Sequence, residues 1–388
     1  MKPEAEVSDQ WVSDGENKLD AKSEEFKEWW TVFNDPVLNL LIDTAYKQNL
    51  DLQIAAVRIF EARAQLGIAV GNQYPQTQNV GGSATQNNLS DHSPNISPQT
   101  DTSFGSYQAG FDAAWELDIW GKYRRGIESA DASLLATLAN YDDVLVSLTA
   151  EVAAAYVQIR TFEERIVLAE QNEQIQQRSL EITQVRFENG ATTELDVSQA
   201  TALLHTTKAL ISSLEVGLRQ SKNALSILLG MTPNDLAEKI TGPSVIPTAP
   251  ADVAVGMPAE ILRRRPDVRQ AELQAASQSA KIGIAQAELY PSFTLLGSFG
   301  LASSSTGSSD FSDLIQSDSF TSTIGPSFSW PIFNYGRIKN NVRVQDARYQ
   351  QTIINYQNTV LFAVREVEDA MVSFLKSREQ AEELQQSV

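Results

Sequence analysis

The stretch Leu66-Gly-Ile-Ala69, which precedes Tyr74-Pro75, recurs 216 residues later as Ile282-Gly-Ile-Ala285, which precedes Tyr290-Pro291. The same offset relates Asp51 to Asp267. Further along the chain the offset becomes 215, which relates Asp131 to Asp346 and Glu151 to Glu366. A repeat at a fixed period indicates one structural unit used twice that cannot bury its apolar face alone. We expect two copies of a helix, a strand hairpin and a long helix, and we assign the one-residue change of offset to the hairpin loop.

Each copy opens with a helical pattern that ends at a Tyr-Pro pair. In the first copy, Asn49 is the expected N-cap, and apolar or small residues follow at alternating spacings of three and four, which places them on one helix stripe: Leu52, Ala55, Ile59, Ala62, Leu66 and Ala69. The second copy repeats this stripe from Val268 and has Pro266 in its first turn. Small residues in the stripe allow neighbouring helices to approach closely, which favours extended coiled-coil contact.

After each Tyr-Pro pair the pattern changes to a period of two, which predicts strands. The predicted hairpins span about 76–118 and 292–332, and residues 76–88 form the least regular of the four strands. One face of the other three strands is apolar, and the second face is rich in Ser, Thr and Gly. Such strands, about ten residues long, are typical of an outer-membrane barrel. A half-exposed sheet of a soluble protein would show the same alternation, and periodicity does not separate the two.

Four strands cannot close a barrel, because small single-chain barrels have about eight. In lipid an open edge leaves backbone groups without partners, so a membrane barrel would have to share strands between subunits. Two copies of the chain supply eight strands and three copies supply twelve. Eight strands are largely filled by side chains, whereas twelve leave room for a channel.

A helix of unusual length follows the first hairpin. The helical pattern runs without proline from Lys122 to Glu188, a length of roughly 100 Å at 1.5 Å per residue. Asn189-Gly190 ends it and predicts the tip of a helical hairpin, with a return helix from about Thr193 to Leu229. A second long helix begins near Arg337, and its stripe at the same spacing comprises Ile353, Tyr356, Val360, Ala363, Val367, Ala370 and Phe374. Adding 215 to Gly190 places its tip near position 405, so we expect that tip and its return helix to be missing from this chain.

Composition restricts the class of protein but does not choose one. The chain has no cysteine, which excludes disulfides and thiolate metal sites, and a net charge of −19, which argues against binding to nucleic acid. No run is long enough for a membrane helix, and the N-terminus lacks the apolar core of a signal peptide. A cytoplasmic protein and a protein whose targeting segment has been removed both fit these facts.

No arrangement of residues indicates an active site. The two histidines, His92 and His205, have no partner spacing for metal binding or nucleophilic catalysis, and no phosphate-binding glycine motif is present. The carboxylates are numerous but dispersed. We therefore predict that the protein is not an enzyme and that it uses no cofactor or metal.

Five segments lie at the joints of the repeat, in a specific order along the chain. They are Trp115-Glu-Leu-Asp-Ile-Trp-Gly-Lys122, Arg186-Phe-Glu-Asn-Gly-Ala-Thr-Thr-Glu-Leu-Asp-Val197, Leu262-Arg-Arg-Arg-Pro-Asp-Val-Arg-Gln-Ala-Glu272, Ala287-Glu-Leu-Tyr-Pro-Ser-Phe293 and Ser329-Trp-Pro-Ile-Phe-Asn-Tyr-Gly-Arg337. Together they resemble the outer-membrane efflux protein family, the TolC-like exit ducts of tripartite pumps, in the lipoprotein branch of NodT and OprM type. The resemblance extends from about Trp29 to the C-terminus.

The resemblance implies a mainly α fold with a membrane β part. It implies a long coiled-coil α-helical barrel and four strands per chain in a shared 12-stranded barrel of a homotrimer in the outer membrane of a Gram-negative bacterium. The implied partners are a periplasmic adaptor (membrane fusion) protein, an inner-membrane transporter and outer-membrane lipid. The native full-length form is expected to be lipid-anchored, although members of this branch use a processed N-terminal cysteine that this sequence lacks.

Two groups of residues follow as candidates for function. By the resemblance, adaptor contact is assigned to the predicted tip, which comprises Glu188, Asn189, Gly190, Ala191, Thr192 and Thr193. The strand pattern assigns lipid contact to ten residues: Tyr107, Phe111, Trp115, Phe293, Leu295, Phe299, Phe320, Ile324, Phe328 and Trp330. A plain turn between helices is the alternative interpretation of the tip.

The repeat also defines the expected domain organisation. The divisions are an N-terminal arm and short helix (1–48), a first repeat with its tip near 190 (49–240), a linker (241–258) and a second repeat (259–388). The expected function is passive export of small molecules such as drugs. Two alternatives remain at this point: a type I secretion duct for polypeptides, and a soluble coiled-coil scaffold or adhesin.

Overall fold

The computed structural model describes residues 19–20, 28–90, 92, 97, 101–233, 236, 239–240, 242, 245–248, 253–254, 262–307 and 309–387. Its α-helices are α1 (Pro36–Gln48), α2 (Leu50–Gly71), α3 (Lys122–Glu188), α4 (Glu194–Leu228), α5 (Pro266–Ala287) and α6 (Arg337–Gln386). Its strands are β1 (Leu19–Asp20), β2 (Thr77–Asn88), β3 (Ser103–Glu116), β4 (Val253–Ala254), β5 (Ser292–Ser304) and β6 (Phe320–Ser329). Most of the predicted arm and linker lies outside the described residues, and the predicted domain boundaries remain predictions.

By backbone proximity the described residues within 59–136 and 270–359 form one compact unit, and the described residues within 19–58, 137–269 and 360–387 form a second. The first unit contains a four-stranded antiparallel sheet with the strand order β2-β3-β5-β6. The two hairpins are joined by the pairing of β3 with β5, so each repeat contributes one half of the sheet. Strands β2 and β6 form its edges.

The hydrophobic core of the second unit forms around α1. The carboxylate of Asp35 caps this helix by accepting hydrogen bonds from the N–H groups of Val37 and Leu38, and Pro36 occupies the first helical position. Segments of α2, α3 and α4 pack against α1 in this unit. The fully buried side chains of the core include Leu38, Leu41, Ile42, Val152, Tyr156, Ile159, Leu225 and Leu229.

The predicted stripe and cap of α2 are confirmed. The side-chain oxygen of Asn49 accepts a hydrogen bond from the N–H of Leu52 at 2.8 Å, and Leu52, Ala55 and Ala62 are buried. Among the helices that the structure describes, none combines the length and the apolar character needed to cross a membrane.

The one-residue change of offset lies elsewhere than expected. Strand β2 starts two residues after Pro75, whereas β5 starts one residue after Pro291. The strands of the two hairpins are therefore related by 215 throughout, because the pairs Phe111 with Val80 and Pro326 with Leu295 correspond. The extra residue is at the helix-to-strand joint of the first repeat and not in the hairpin loop, where a change would have shifted the strand register.

Candidate functional site

The predicted tip is the turn between α3 and α4, and its first half is a Schellman motif. The N–H of Gly190 donates to the carbonyl of Phe187 at 2.9 Å, and the N–H of Ala191 donates to the carbonyl of Arg186 at 2.8 Å. Gly190 has a φ of 71°, in the left-handed region that glycine adopts without steric cost. The end of α3 is thus fixed by its own backbone.

The second half of the tip is a capping box at the start of α4. The N–H of Asp196 donates to the Thr193 hydroxyl, and the Asp196 carboxylate accepts from the N–H of Thr193 at 2.9 Å. The Thr192 hydroxyl also donates to this carboxylate. Together these hydrogen bonds lower the pKa of Asp196 to about 2, and the bond from Thr192 makes the largest contribution. Asp196 therefore remains an ionised acceptor, and the turn is held in one conformation.

Five of the six tip residues assigned to adaptor contact are exposed, and Thr192 is half-buried. Three apolar side chains beside the tip are exposed as well: Val185, Phe187 and Leu195. The sequence prediction of the adaptor-contacting residues did not include these three, because they lie outside the turn itself. Their signal is present in the sequence, since each is a large apolar residue next to a predicted helix end.

The strand register places nine of the ten residues assigned to lipid contact on one face of the sheet. Directly opposed residues share a face, and alternate residues along a strand return to it. Phe111 opposes Phe299, Trp115 opposes Leu295 and Phe293 opposes Phe328, and the other three are Tyr107, Phe320 and Ile324. Trp330 follows β6 instead of lying within it. The opposite face carries small and polar residues such as Ser298 and Thr323.

Three tryptophans fix the ends of the strands to the ends of the helices. The indole N–H of Trp115 donates to the carbonyl of Gln73 at 3.1 Å, and that of Trp330 donates to the carbonyl of Leu289 at the same distance. These are corresponding bonds in the two repeats, because Trp330 is 215 residues after Trp115 and Leu289 is 216 after Gln73. The third, Trp120, donates to the carbonyl of Pro291 at 2.8 Å.

The Arg-Arg-Arg-Pro-Asp segment forms an ion cluster at the start of α5. The Arg265 guanidinium contacts the Asp267 carboxylate at 2.9 Å and that of Glu366 on α6 at 2.7 Å. Burial raises the pKa of Asp267, but the hydrogen bonds and charge of Arg265 outweigh it and hold the pKa below its ordinary value. Asp143 on α3 faces the cluster. Burial, together with the charges of Asp267 and Glu366, raises the pKa of Asp143 despite Arg265.

Asp143→Asn is expected to stabilise the protein at pH 7, by about 0.5 kcal/mol after solvent screening of a half-exposed carboxylate. A group whose pKa is raised in the folded state stabilises the fold at pH values below its unfolded-state pKa. This contribution to the free energy of unfolding is lost as the pH rises through the folded-state pKa. The gain should therefore vanish near pH 3, where Asp143 is protonated. Thermal unfolding of the variant and the original protein at pH 7 and at pH 3 measures this gain in stability. Asp142→Asn, at the exposed neighbouring position, is the control; an equal gain there would contradict the explanation.

Within the described ranges, no group of three or more His, Asp or Glu side chains is arranged to hold a metal ion.

The family model described as outer membrane efflux protein matches residues 41–231 and 257–388. The chain belongs to the outer membrane efflux protein family. The family predicted by resemblance is thereby confirmed.

Relatives and solved structures agree with this assignment. The chain is 33% identical to nodulation protein T of Rhizobium leguminosarum bv. trifolii over 89% of this chain and 72% of that protein. It is 33% identical to the toluene efflux pump outer membrane protein TtgI of Pseudomonas putida, over 88% of this chain and 70% of that protein. The structure superposes on the outer-membrane channel OprN with a TM-score of 0.88 and 30% identity, covering 100% of this chain and 85% of that one.

The predicted fold class, outer-membrane location and efflux function are thus confirmed at the level of the family. The chain is an outer-membrane efflux component with the fold of solved outer-membrane channels. A soluble scaffold or adhesin is excluded by this membership. Members of this family are efflux channels and not enzymes.

Proposed function

We propose that this chain is the passive exit duct of a tripartite efflux system. Three copies form a homotrimer in which each chain supplies four of twelve barrel strands, and small molecules such as drugs leave through the water-filled interior. The chain catalyses no reaction, and an inner-membrane transporter supplies the energy. The observation that carries the proposal is the sheet itself, which has one apolar face and ends in two edge strands, β2 and β6.

An open sheet with an apolar face is stable only where its edges are paired and its apolar face is removed from water. In lipid the edge N–H and carbonyl groups would lack partners, so the edges must pair with other copies of the chain. Exposed Phe299, Phe320, Ile324 and Phe328 all lie on the apolar face, where contact with lipid removes them from water. The small polar residues of the other face then border the interior.

We assign adaptor contact to the α3–α4 tip and extend the surface to Val185, Phe187 and Leu195. The tip is exposed and is held by the Schellman motif and the capping box, so binding costs little conformational entropy. Exposed apolar side chains around a polar turn provide the apolar centre that protein interfaces use. The tip thus offers a preformed docking surface to the adaptor.

Ala191→Trp is expected to reduce efflux about ten-fold or more, because a bulky side chain at the centre of a docking surface obstructs contact. Ala191 is exposed and has no positive φ, so the change strains no backbone. Efflux of a fluorescent substrate is measured in cells that lack their own exit duct, together with the trimer band on unheated gels. The control is Gln177→Trp, an exposed position about 16 Å before the end of α3.

Normal efflux by Ala191→Trp trimers would refute the adaptor assignment while leaving the duct proposal in place. Absence of a trimer from the unsubstituted protein would instead refute the duct. Equal loss in both tryptophan variants would show that any bulky group on the hairpin interferes and would also remove the tip assignment.

A further inference from the structure

The loop between β5 and β6 (305–319) lies at the end of the sheet that is remote from the helices. It contains a short 3₁₀ helix, Phe311–Ile315, here called the loop helix. The side chain of Ile315 is 85% exposed and that of Phe311 is 57% exposed. Single exposed apolar side chains are common on proteins, but a continuous group of them indicates a contact surface.

The loop helix is held in one conformation by hydrogen bonds within the loop. Asp310 and Asp313 form a capping box, in which the Asp310 carboxylate accepts from the N–H of Phe311 at 2.7 Å and the N–H of Asp310 donates to the Asp313 carboxylate at 2.8 Å. The hydroxyl of Ser303, near the end of β5, donates to the carbonyl of Asp310 at 2.9 Å. The loop therefore presents Phe311 and Ile315 in a fixed position.

The loop helix packs on the apolar side of the sheet. The Phe311 ring meets the Tyr107 ring edge-on, with a centroid distance of 5.0 Å. Tyr107 shares its face of β3 with Phe111 and Trp115. Its ring lies over Gly105, where an added Cβ would come within 2.8 Å of the Tyr107 Cζ. The contact therefore draws the loop helix towards the apolar face and away from the polar face.

The exposed side chains of the loop helix continue the apolar surface of the sheet. Phe320, the first residue of β6, is exposed and opposes Leu301 on the same face as Tyr107. Phe311 joins this face through Tyr107, and Ile315 ends the loop helix that Phe311 begins. The surface assigned to lipid contact thus extends past the strand ends into the loop.

The charge of the loop favours one kind of partner. Residues 305–319 contain three aspartates, Asp310, Asp313 and Asp318, and neither lysine nor arginine. Contact with lipid phosphates is favoured by basic residues, which this loop lacks. Apolar side chains that enter the acyl-chain region need no such charge. The favoured occupant is therefore the layer of lipid chains just beneath the headgroups.

We propose that the loop helix is a membrane contact of the duct, in which Ile315 and Phe311 insert between the lipid chains around the barrel at its end remote from the helices. The contact rests on the proposed function, because it requires lipid against the apolar face of the sheet. Full burial of an isoleucine side chain favours the inserted position on the order of ten- to a hundred-fold. The loop helix thereby fixes the depth of the strand ends in the membrane.

Quenchers attached to lipid test this contact. The chain has no cysteine, so Ile315→Cys introduces a single attachment site for the environment-sensitive fluorophore nitrobenzoxadiazole. The labelled full chain is assembled in phosphatidylcholine vesicles whose acyl chains carry nitroxide groups. Ser309→Cys, at an exposed position of the same loop before the loop helix, is the control.

Two sites on β6 calibrate the measurement. Ile324→Cys lies on the apolar face and Thr323→Cys on the opposite face, and both positions are exposed. Nitroxide quenching at positions 315 and 324 is expected to exceed that at 309 and 323 about three-fold or more, because only the first two sites contact lipid chains. Iodide dissolved in the water should quench the four labels in the reverse order.

Replacement of Phe311 tests whether its contact with Tyr107 positions the loop helix. Phe311→Ala removes the ring contact and is expected to lower nitroxide quenching of the label at position 315 about two-fold. Phe311→Tyr retains an aromatic ring and should preserve the quenching. Only trimers that remain intact on unheated gels are compared, so that loss of assembly does not account for the difference.

The outcomes separate the loop contact from the duct itself. Strong nitroxide quenching at 315 and 324, with weak quenching at 309 and 323, supports the loop contact. Quenching at 324 but not at 315 overturns the loop contact and leaves the duct intact; a label at 315 that is shielded from iodide as well would indicate a protein occupant. Equal quenching at 323 and 324 overturns the lipid face and with it both proposals. Unchanged quenching in Phe311→Ala overturns the positioning role of Phe311.

Discussion

Replacing Gly230 with alanine is expected to lower the free energy of unfolding by about 4 kcal/mol. Gly230 ends α4 in a Schellman motif with a φ of 65°, and its N–H donates to the carbonyl of Ile227 at 2.9 Å. A Cβ at this position would lie 2.2 Å from the carbonyl oxygen of Gln48. The backbone at the end of α1 would have to move, in addition to the cost of a left-handed conformation for alanine.

Gly190→Ala is the matched control for this change. Gly190 ends α3 in the same motif with a φ of 71°, but a Cβ there would meet nothing within 4 Å. The expected cost is therefore the conformational penalty alone, about 1 kcal/mol. Denaturation followed by circular dichroism compares the two variants. Equal losses would mean that the close contact with Gln48 contributes nothing.

Glu163→Gln is expected to destabilise the protein by about 3 kcal/mol at pH 7. The Glu163 carboxylate accepts from the guanidinium of Arg160 at 3.0 Å and from the ammonium of Lys222 at 2.9 Å. The Arg160 side chain is only 3% exposed and also donates to the Tyr156 hydroxyl, so the Glu163 carboxylate is an ion-pair partner of a buried cation. Removing the negative charge breaks this buried ion pair and the contact with Lys222 at the same time.

Glu181→Gln provides a control with the same local geometry. Arg178 and Glu181 are also three residues apart on α3 and also contact at 3.0 Å, but their side chains are 74% and 48% exposed. An exposed pair contributes little, so the expected loss is below about 0.5 kcal/mol. A similar loss in both variants would rule out burial as the cause of the Glu163 effect.

The effect of Glu163→Gln should depend on pH. Burial raises the pKa of Glu163, but the hydrogen bonds and charges of Lys222 and Arg160 outweigh burial and lower it overall. A lowered folded-state pKa contributes stability above the unfolded-state value of about 4.3 and loses it as the pH falls through the folded-state value. Unfolding curves of the variant and the original protein should therefore converge as the pH falls through the lowered folded-state pKa of Glu163.

The repeat and its periodicities predicted the elements closely, because local patterns decide them. The limits of α3 and the start of α6 at Arg337 were both predicted from the sequence. The buried stripe of α6 was predicted less well, since Ala370 is exposed and Met371 and Leu375 are buried instead. A seam of period 3.5 drifts around a helix of period 3.6, so the facing residue changes along 50 residues.

The candidate site was predicted in outline, and its contacts were not. Alternation indicated which strand residues share a face, because a strand has a fixed period of two. The Trp120–Tyr290 stack and the Arg265–Glu366 ion pair join residues that lie 170 and 101 positions apart in the chain. Such contacts depend on how the helices and strands pack. A single sequence does not show which residues distant in the chain lie close together in space.

The pairing of β3 with β5 has a consequence for synthesis of the protein. Phe111 opposes Phe299, so the first hairpin must wait for a partner strand encoded 188 residues later. At 5 to 20 residues per second the ribosome needs about 10 to 40 s to make that interval. During this time the open edge of β3 is available to another nascent chain. On this basis we expect that the order in which the strands become available, as well as the final contacts, affects which hairpins pair.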